Sequence, residues 1–225
     1  MTTTRPTGST IADQVEQLHQ GAAAQMPAEA LAAFGAEQAA LREAGSPAGV
    51  LAAGRPMPDA DLLDVHGRPT TLNAVRGTDK AAVVVFYRGG WCPYCNIALR
   101  AYQADLLPAL RDQGIALIAV SPQKPDGSLS TREANELSFT VVTDPGNQLA
   151  RSLGILTEPT ADAQAAQRSL GLDLTALNAD GTAGIPMPTT VILDAQGNVR
   201  WIDVHADYTA RSEVDEVLSA LAALD

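Results

Sequence analysis

Apolar residues near the start of the chain recur at helical spacing. Ile11, Val15 and Leu18 follow one another at intervals of four and three residues, which places their side chains on one face of a helix. A second helix is predicted to begin at Pro27, because proline suits the first turn of a helix. We therefore predict an N-terminal helical extension over residues 1–58.

From residue 59 onward the pattern changes to short apolar runs that alternate with helical stripes. Ala81–Tyr87 and Ile115–Val120 are apolar on both faces and β-branched, which is typical of buried strands. Further strands are predicted over 62–65, 70–72, 139–143, 189–193 and 199–204, and helices over 99–110 (kinked at Pro108), 148–153 and 214–221. This alternation predicts an α/β domain over residues 59–225, with a central mixed β-sheet flanked by helices.

Residues 155–187 interrupt this alternation. They are rich in alanine, threonine and glycine, with one predicted helix over 161–170. We interpret them as an insertion that closes over the functional site as a lid.

Composition argues against two classes of partner. The net charge is −11, and binding to nucleic acid or to an anionic membrane surface needs a basic face. The longest purely apolar run has only the seven residues 81–87, too few for a membrane-spanning helix. The first residues show no apolar signal segment, so we expect a cytoplasmic protein.

The two cysteines of the chain stand together as Cys92-Pro93-Tyr94-Cys95. A disulfide between them closes too small a loop to constrain the unfolded chain, which favours a chemical role. Pro93 suits the first helical position, so Cys92 is predicted at a helix N-terminus, where the helix dipole lowers a thiol pKa. Attack by one sulfur and closure by the other would support thiol–disulfide exchange.

Other interpretations of the cysteine pair stay open. A zinc site needs four ligands, and the three histidines lie in scattered segments, so no metal is expected. Inert structural cysteines are the second alternative. The chain carries no flavin, haem or nucleotide motif, and no cofactor is predicted.

Trp91-Cys92-x-x-Cys95 after a β-branched strand resembles the thioredoxin-like superfamily, and Cys-Pro-Tyr-Cys is similar to the glutaredoxin tetrad. In that superfamily a cis-proline precedes a later strand and faces the dithiol. Met187-Pro188 matches its position. The resemblance implies a cis peptide bond at Pro188 and a free backbone edge there that pairs with substrate.

Residues 59–225 as a whole resemble the peroxiredoxin-like alkyl hydroperoxide reductase / thiol-specific antioxidant family. The resemblance rests on Phe86–Gly89, Ile118–Pro122, Val142–Gly146, and Asp207-Tyr208 followed by Arg211. It implies a thioredoxin-like fold and reduction of hydroperoxides by a cysteine thiolate. It also implies a thiol electron donor such as thioredoxin or a low-molecular-weight thiol.

The chain departs from the family pattern at three positions. The family's proline is Arg88 here, its threonine is Cys92, and its peroxide-polarising arginine falls on Pro188. Arg88 is our candidate for the missing positive charge, and a solvated arginine that caps the loop is the alternative. Trp91 and Tyr94 are predicted to form an apolar rim for substrate, with simple packing as the alternative.

Two questions of chemistry follow from the pair. Helix-end electrostatics predict that Cys92 is the more exposed nucleophile and that Cys95 closes the bridge, whereas the family register favours Cys95 as the residue that attacks peroxide. The alternatives to a peroxidase are a thioredoxin- or glutaredoxin-like protein-disulfide reductase and a redox-sensing module without turnover.

The apolar faces of the N-terminal helices are predicted to pack on the domain, with a homodimer contact as the alternative.

Overall fold

The computed structural model describes residues 9–22 and 26–224. Two helices begin the chain as their apolar spacing predicts, α1 (Ile11–Ala22) and α2 (Ala28–Ala44). The side chain of Thr10 and the carboxylate of Glu213 accept hydrogen bonds from the first N–H groups of α1, which satisfies donors that a helix start leaves free. The boundary at residue 58 stays a prediction.

Seven strands form one mixed sheet, which confirms the predicted fold class. In chain order the strands of the structure are β1 (Asp61–Asp64), β2 (Pro69–Thr71), β3 (Ala82–Phe86), β4 (Ala116–Ser121), β5 (Thr140–Thr143), β6 (Leu156–Thr157), β7 (Ile185–Pro186), β8 (Thr189–Leu193) and β9 (Val199–Val204). The large sheet has the order β2-β1-β5-β4-β3-β8-β9, while β6 and β7 form a separate pair. Strands β3, β4 and β5 are parallel and the outer pairings are antiparallel. Strand β3 lies in the interior of the sheet, between β4 and β8.

Helices cover both faces of the sheet. The remaining α-helices are α3 (Leu72–Arg76), α4 (Pro93–Ala101), α5 (Leu107–Asp112), α6 (Pro125–Ala134), α7 (Gln148–Leu153), α8 (Ala161–Ser169), α9 (Leu174–Leu177) and α10 (Val214–Ala222). The helices α3, α6 and α9 and the pair β6–β7 were not predicted from the sequence. Within the described residues, no helix is long and apolar enough to cross a membrane.

The core has two halves that β3 separates. Val83, Val85 and Tyr87 contribute to the cluster that contains α1, α4 and α10. Val84 and Phe86 contribute to the cluster on the opposite face. Alternate residues of a strand point to opposite faces, so a strand that is buried on both sides is apolar throughout. The apolar residues on both faces of Ala81–Tyr87 therefore correctly predict a strand in the interior of the sheet.

Two boundaries differ from their predictions. The predicted kink at Pro108 takes the form of a π-helical turn over Tyr102–Leu106, directly before the proline, and such turns widen a helix locally. Leu72 was predicted to end a strand, but it begins α3. The hydroxyl of Thr71 accepts the N–H of Ala74 and caps that helix.

The insertion packs against the N-terminal extension. Helix α8 lies along α2, and Glu37 of α2 accepts the N–H of Thr160, at the start of α8, at 2.9 Å. The indole of Trp91 packs against a small apolar cluster of the insertion that contains Leu174 and Ile185. The insertion therefore lies over the side of the cysteine loop.

Candidate active site

Both cysteines lie where the central strand meets α4. Strand β3 ends at Phe86, and α4 begins at Pro93 with Cys92 as its N-cap residue, at φ −88° and ψ 112°. Cys95 follows in the first turn of the helix. Both are free cysteines. The sequence therefore predicts the local geometry correctly, because proline at the first helical position sets where the helix starts.

The expectation that Cys92 is the more exposed thiol is wrong. Cys92 and Cys95 both have 0% relative exposure and belong to the same core cluster as Ile11 and Val15 of α1. The N-terminal extension thus packs into the same core as the dithiol. Exposure does not distinguish the two sulfurs, and only their electrostatic surroundings can do so.

Arg211 provides the main electrostatic difference. Its Nη2 atom lies 3.0 Å from the sulfur of Cys95 and 3.9 Å from that of Cys92. Its Nη1 atom donates to the carbonyls of Tyr208 and Ala210, which holds the guanidinium against its own loop. The residue is buried, and no carboxylate in the described part of the chain forms an ion pair with it.

The pKa values of the two thiols move in opposite directions. Burial alone raises the pKa of Cys95, but the hydrogen bond from Cys92, the charge of Arg211 and the main-chain N–H of Arg88 outweigh burial and hold this pKa well below its ordinary value. Burial, and then the neighbouring Cys95 sulfur, raise the pKa of Cys92 well above its ordinary value. The site therefore favours a thiolate on Cys95 and a thiol that donates to it on Cys92.

Arg88 is buried, so the alternative of a solvated arginine is wrong. Its guanidinium carbon lies 4.0 Å from the ring centroid of Tyr208 and 5.0 Å from that of Trp91, and the residue is 5% exposed. Stacking between aromatic faces stabilises a cation that has lost water. Burial and the neighbouring cysteine affect the pKa of each thiol most. The charge of Arg88 is a smaller effect that lowers both pKa values, so it adds positive potential to the site.

A buried polar network holds the loop before the cysteines. The side-chain oxygen of Gln123 accepts the N–H of Gly90 at 2.8 Å, and its amide donates to Tyr87 and Thr131. The amide of Asn96 donates to the carbonyl of Gly90 at 2.8 Å. Both main-chain groups of Gly90 are therefore occupied, and the loop cannot move without breaking two partly buried hydrogen bonds.

Trp91 lies in the cysteine loop and Tyr94 at the start of α4, and their role toward substrate stays a prediction. Tyr94 is half-buried and touches the extension, with its hydroxyl 3.1 Å from Nε2 of His19 and its ring 6.3 Å from that of Tyr208. The buried Nε1 of Trp91 has no hydrogen-bond partner in the described structure. Both rings lie beside the cysteines, but they pack against protein rather than forming an open surface.

The expectation of a cis-proline at Pro188 is wrong. All peptide bonds of the described residues are trans. Met187 donates its N–H to Ile155 at 2.8 Å, and the carbonyl of Pro188 accepts from His205 at 2.9 Å. Between β7 and β8 the main chain is therefore hydrogen-bonded on both sides to other segments of the protein. The backbone edge that was expected to bind an extended substrate is therefore occupied by the protein itself, and both residues are buried.

The sequence did not identify Arg211 as a site residue. Asp207-Tyr208 and Arg211 were noted as family-like, but 116 positions separate Arg211 from Cys95 and no local spacing connects them. Gln123 and Glu37 were also missed. Among the described residues, no group of three or more His, Cys, Asp or Glu side chains is arranged to hold a metal ion.

Comparison with known proteins identifies the relatives of this fold and site. A family model described as "AhpC/TSA family" matches residues 53–202, a stretch that includes both cysteines. A chloroplastic peroxiredoxin Q from Populus jackii is 23% identical over 171 residues, which are 76% of this chain and 68% of that protein.

Solved structures support the fold. The reduced Prx3 of Vibrio vulnificus in complex with hydrogen peroxide superposes with a TM-score of 0.60 at 18% identity, covering 76% of this chain and 99% of that one. The peroxidoxin BcpB of Mycobacterium tuberculosis superposes with a TM-score of 0.58 at 16% identity, covering 77% and 97%. At these identities the likeness concerns the fold.

Proposed function

Since this chain belongs to the AhpC/TSA family, we propose that it is a thiol-dependent peroxidase in which Cys95 attacks the hydroperoxide and Cys92 closes the disulfide. The main support for this proposal is the buried contact between Nη2 of Arg211 and the sulfur of Cys95, at 3.0 Å. A buried guanidinium without a carboxylate partner is costly unless another anion neutralises it. The Cys95 thiolate is the anion that the site offers.

The reaction sequence uses only sulfur chemistry. The Cys95 thiolate attacks the terminal oxygen of the hydroperoxide, the O–O bond breaks, and the leaving alkoxide takes a proton from solvent to become an alcohol or water. Cys95 is now a sulfenic acid. The sulfur of Cys92 then attacks Cys95, the S–O bond breaks, water leaves, and a disulfide remains.

A thiol donor completes the cycle. Two donor thiols reduce the Cys92–Cys95 disulfide by exchange and leave as their own disulfide. Thioredoxin or a low-molecular-weight thiol has this chemistry, and we propose one of these classes as the electron donor. A cytoplasmic location and a homodimer stay predictions.

Arg211 takes the role that the family's missing arginine would have. Its charge keeps Cys95 ionised, and its position beside the sulfur lets it stabilise the negative charge that develops on the peroxide oxygens during attack. The guanidinium comes from the loop before α10 rather than from the segment before β8. Arg211 thus supplies the positive charge that the family has at the position of Pro188.

The protein-disulfide reductase alternative is less favoured. Both sulfurs are buried, and the Met187-Pro188 edge is paired with the protein's own chain, so a large disulfide substrate would have no strand to pair with. A small hydroperoxide has no need of such an edge. No observation in the described structure favours the redox-sensing module.

Rapid mixing of the reduced protein with hydrogen peroxide tests the proposal. The wild type and Cys92→Ser should be oxidised faster than a free thiol at equal thiolate fraction, and Cys92→Ser should accumulate a sulfenic acid that dimedone traps. Cys95→Ser, the matched control, should react no faster than a free thiol. Oxidation of Cys95→Ser at the wild-type rate would show that the order of attack is reversed.

A further inference from the structure

A small cavity lies between the N-terminal extension and the active-site loop. The cavity has a volume of about 20 Å³, and its lining includes Glu37, Arg88, Tyr208 and the Met187-Pro188 segment. One water needs roughly 10–15 Å³ by this measure, so the space suits a molecule of about two heavy atoms. The exposed Glu158 also lines it, so the cavity reaches the surface there.

Glu37 lines this cavity and, within the described residues, has one carboxylate oxygen without a partner. Its Oε1 atom accepts the N–H of Thr160, whereas its Oε2 atom is buried and has no hydrogen-bond partner in the described structure. The residue is only 5% exposed. A buried carboxylate oxygen without a donor is costly. A ligand with an O–H group would satisfy it.

Arg88 links the cavity to the reacting sulfur. Arg88 lines the cavity, and both its main-chain N–H and its charge lower the pKa of Cys95. Tyr208 makes a second link, because its ring lines the cavity and its carbonyl holds the guanidinium of Arg211. Arg88 and Tyr208 therefore lie between the cavity and the surroundings of Cys95, Tyr208 through its hydrogen bond from Arg211.

We infer that this cavity is a holding site for hydrogen peroxide on its way to Cys95, with the Oε2 atom of Glu37 accepting a peroxide O–H and Arg88 donating to a peroxide oxygen. The inference rests on the proposed peroxidase function. It assigns a substrate-binding role to α2 of the N-terminal extension.

The cavity selects by size and by charge. A molecule of two oxygens fills it, whereas the aromatic part of cumene hydroperoxide exceeds its volume. Two carboxylates, Glu37 and Glu158, line it, so an anionic peroxide would be repelled. Neutral hydrogen peroxide carries both a donor and an acceptor, which matches the pairing of a carboxylate with a guanidinium.

The test compares two peroxides in isosteric variants. Glu37→Gln keeps an oxygen for Thr160 and replaces only the oxygen that has no hydrogen-bond partner in the described structure. We expect its rate constant with hydrogen peroxide to fall about tenfold, the effect of losing one hydrogen bond to a charged group. Its rate with cumene hydroperoxide and its thiolate titration, followed at 240 nm, should stay at the wild-type values.

Two further variants make the result decisive. Ala206→Val adds volume at the cavity wall. It should lower the rate constant with hydrogen peroxide as Glu37→Gln does, although Glu37 is unchanged. Glu43→Gln changes an exposed carboxylate on the same helix and should react as the wild type does. Because Ala206→Val leaves Glu37 in place, it keeps the test valid even where Glu37→Gln folds poorly.

The outcomes separate this inference from the proposed function. Unchanged hydrogen peroxide rates in Glu37→Gln and Ala206→Val would overturn the holding site and leave the peroxidase standing. An equal slowing of both peroxides together with a shifted thiolate titration would also overturn it, because Glu37 would then act through Cys95. A wild type that reacts with neither peroxide faster than a free thiol would overturn both.

Discussion

The Nη2 atom of Arg211 lies 3.0 Å from the sulfur of Cys95 although 116 positions separate the two residues. The second nitrogen of the guanidinium is held by the carbonyls of Tyr208 and Ala210. Arg211 therefore cannot turn away to solvent without losing two further hydrogen bonds. This fixed charge is the strongest reason to regard Cys95 as the ionised sulfur.

Replacing Arg211 should impair the ionisation of Cys95. In Arg211→Met, which keeps most of the side-chain volume, the pKa of Cys95 should rise toward its ordinary value because the neighbouring charge is lost. Reaction with hydrogen peroxide at pH 7 should slow by at least about tenfold, since only the thiolate is nucleophilic. Thiolate absorbance and rapid-mixing kinetics measure these effects. Arg168→Met, at an exposed arginine of α8, should behave as the wild type, and an unshifted titration in Arg211→Met would contradict the proposed role.

The stability of the reduced protein should depend on pH through Cys95. Its folded pKa is lowered from the model-compound value of 9.0, so the unfolded chain holds a proton that the folded chain has lost. The free energy of unfolding should therefore rise with pH from the lowered pKa up to about 9.0, and the contribution should disappear as pH falls through the folded pKa. Urea unfolding of wild type and Cys95→Ser across this range measures the difference. Parallel pH profiles for the two proteins would contradict a lowered pKa.

Gly90 should not tolerate a side chain. A Cβ atom added there would collide with the hydroxyl of Thr131, which is buried and hydrogen-bonded to Gln123. Gly90→Ala should lower the free energy of unfolding by about 1–3 kcal/mol, the usual cost of overpacking. Gly35→Ala, in the open on α2, should instead raise it by about 0.5–1 kcal/mol, because alanine favours a helix over glycine. Chemical denaturation measures both, and equal effects would refute the packing of this loop.

The hydroxyl of Tyr102 should support the Arg211 loop. It donates to the carbonyl of Ser212 at 2.7 Å inside the core, and Tyr102→Phe leaves that buried acceptor unpaired. A loss of about 1–3 kcal/mol in the free energy of unfolding is expected. Tyr94→Phe removes a half-buried hydroxyl beside His19 and should cost less than about 1 kcal/mol. Thermal or urea unfolding compares the pair, and a smaller loss in Tyr102→Phe than in Tyr94→Phe would contradict this prediction.

Local patterns predicted much of the fold. The apolar run Ala81–Tyr87 indicates a central strand because both of its faces are buried, and Pro93 indicates the start of α4 because proline needs no N–H partner there. Helix α6 was missed because its apolar spacing is weak. The π-helical turn before Pro108 was predicted only as a kink, since the bond pattern inside a helix depends on packing around it.

The sequence by itself determined the strand–helix junction and the spacing of Cys92 and Cys95, because these depend on residues within one or two turns of each other. It also carries the resemblance to the AhpC/TSA family, because that rests on short motifs that can be read without the fold. The tertiary structure alone decided the burial of both sulfurs, the trans bond at Pro188 and the approach of Arg211 to Cys95. A thiol's pKa depends on the charges and the solvent around it. Those neighbours come from distant segments, which only the folded chain brings within a few ångströms.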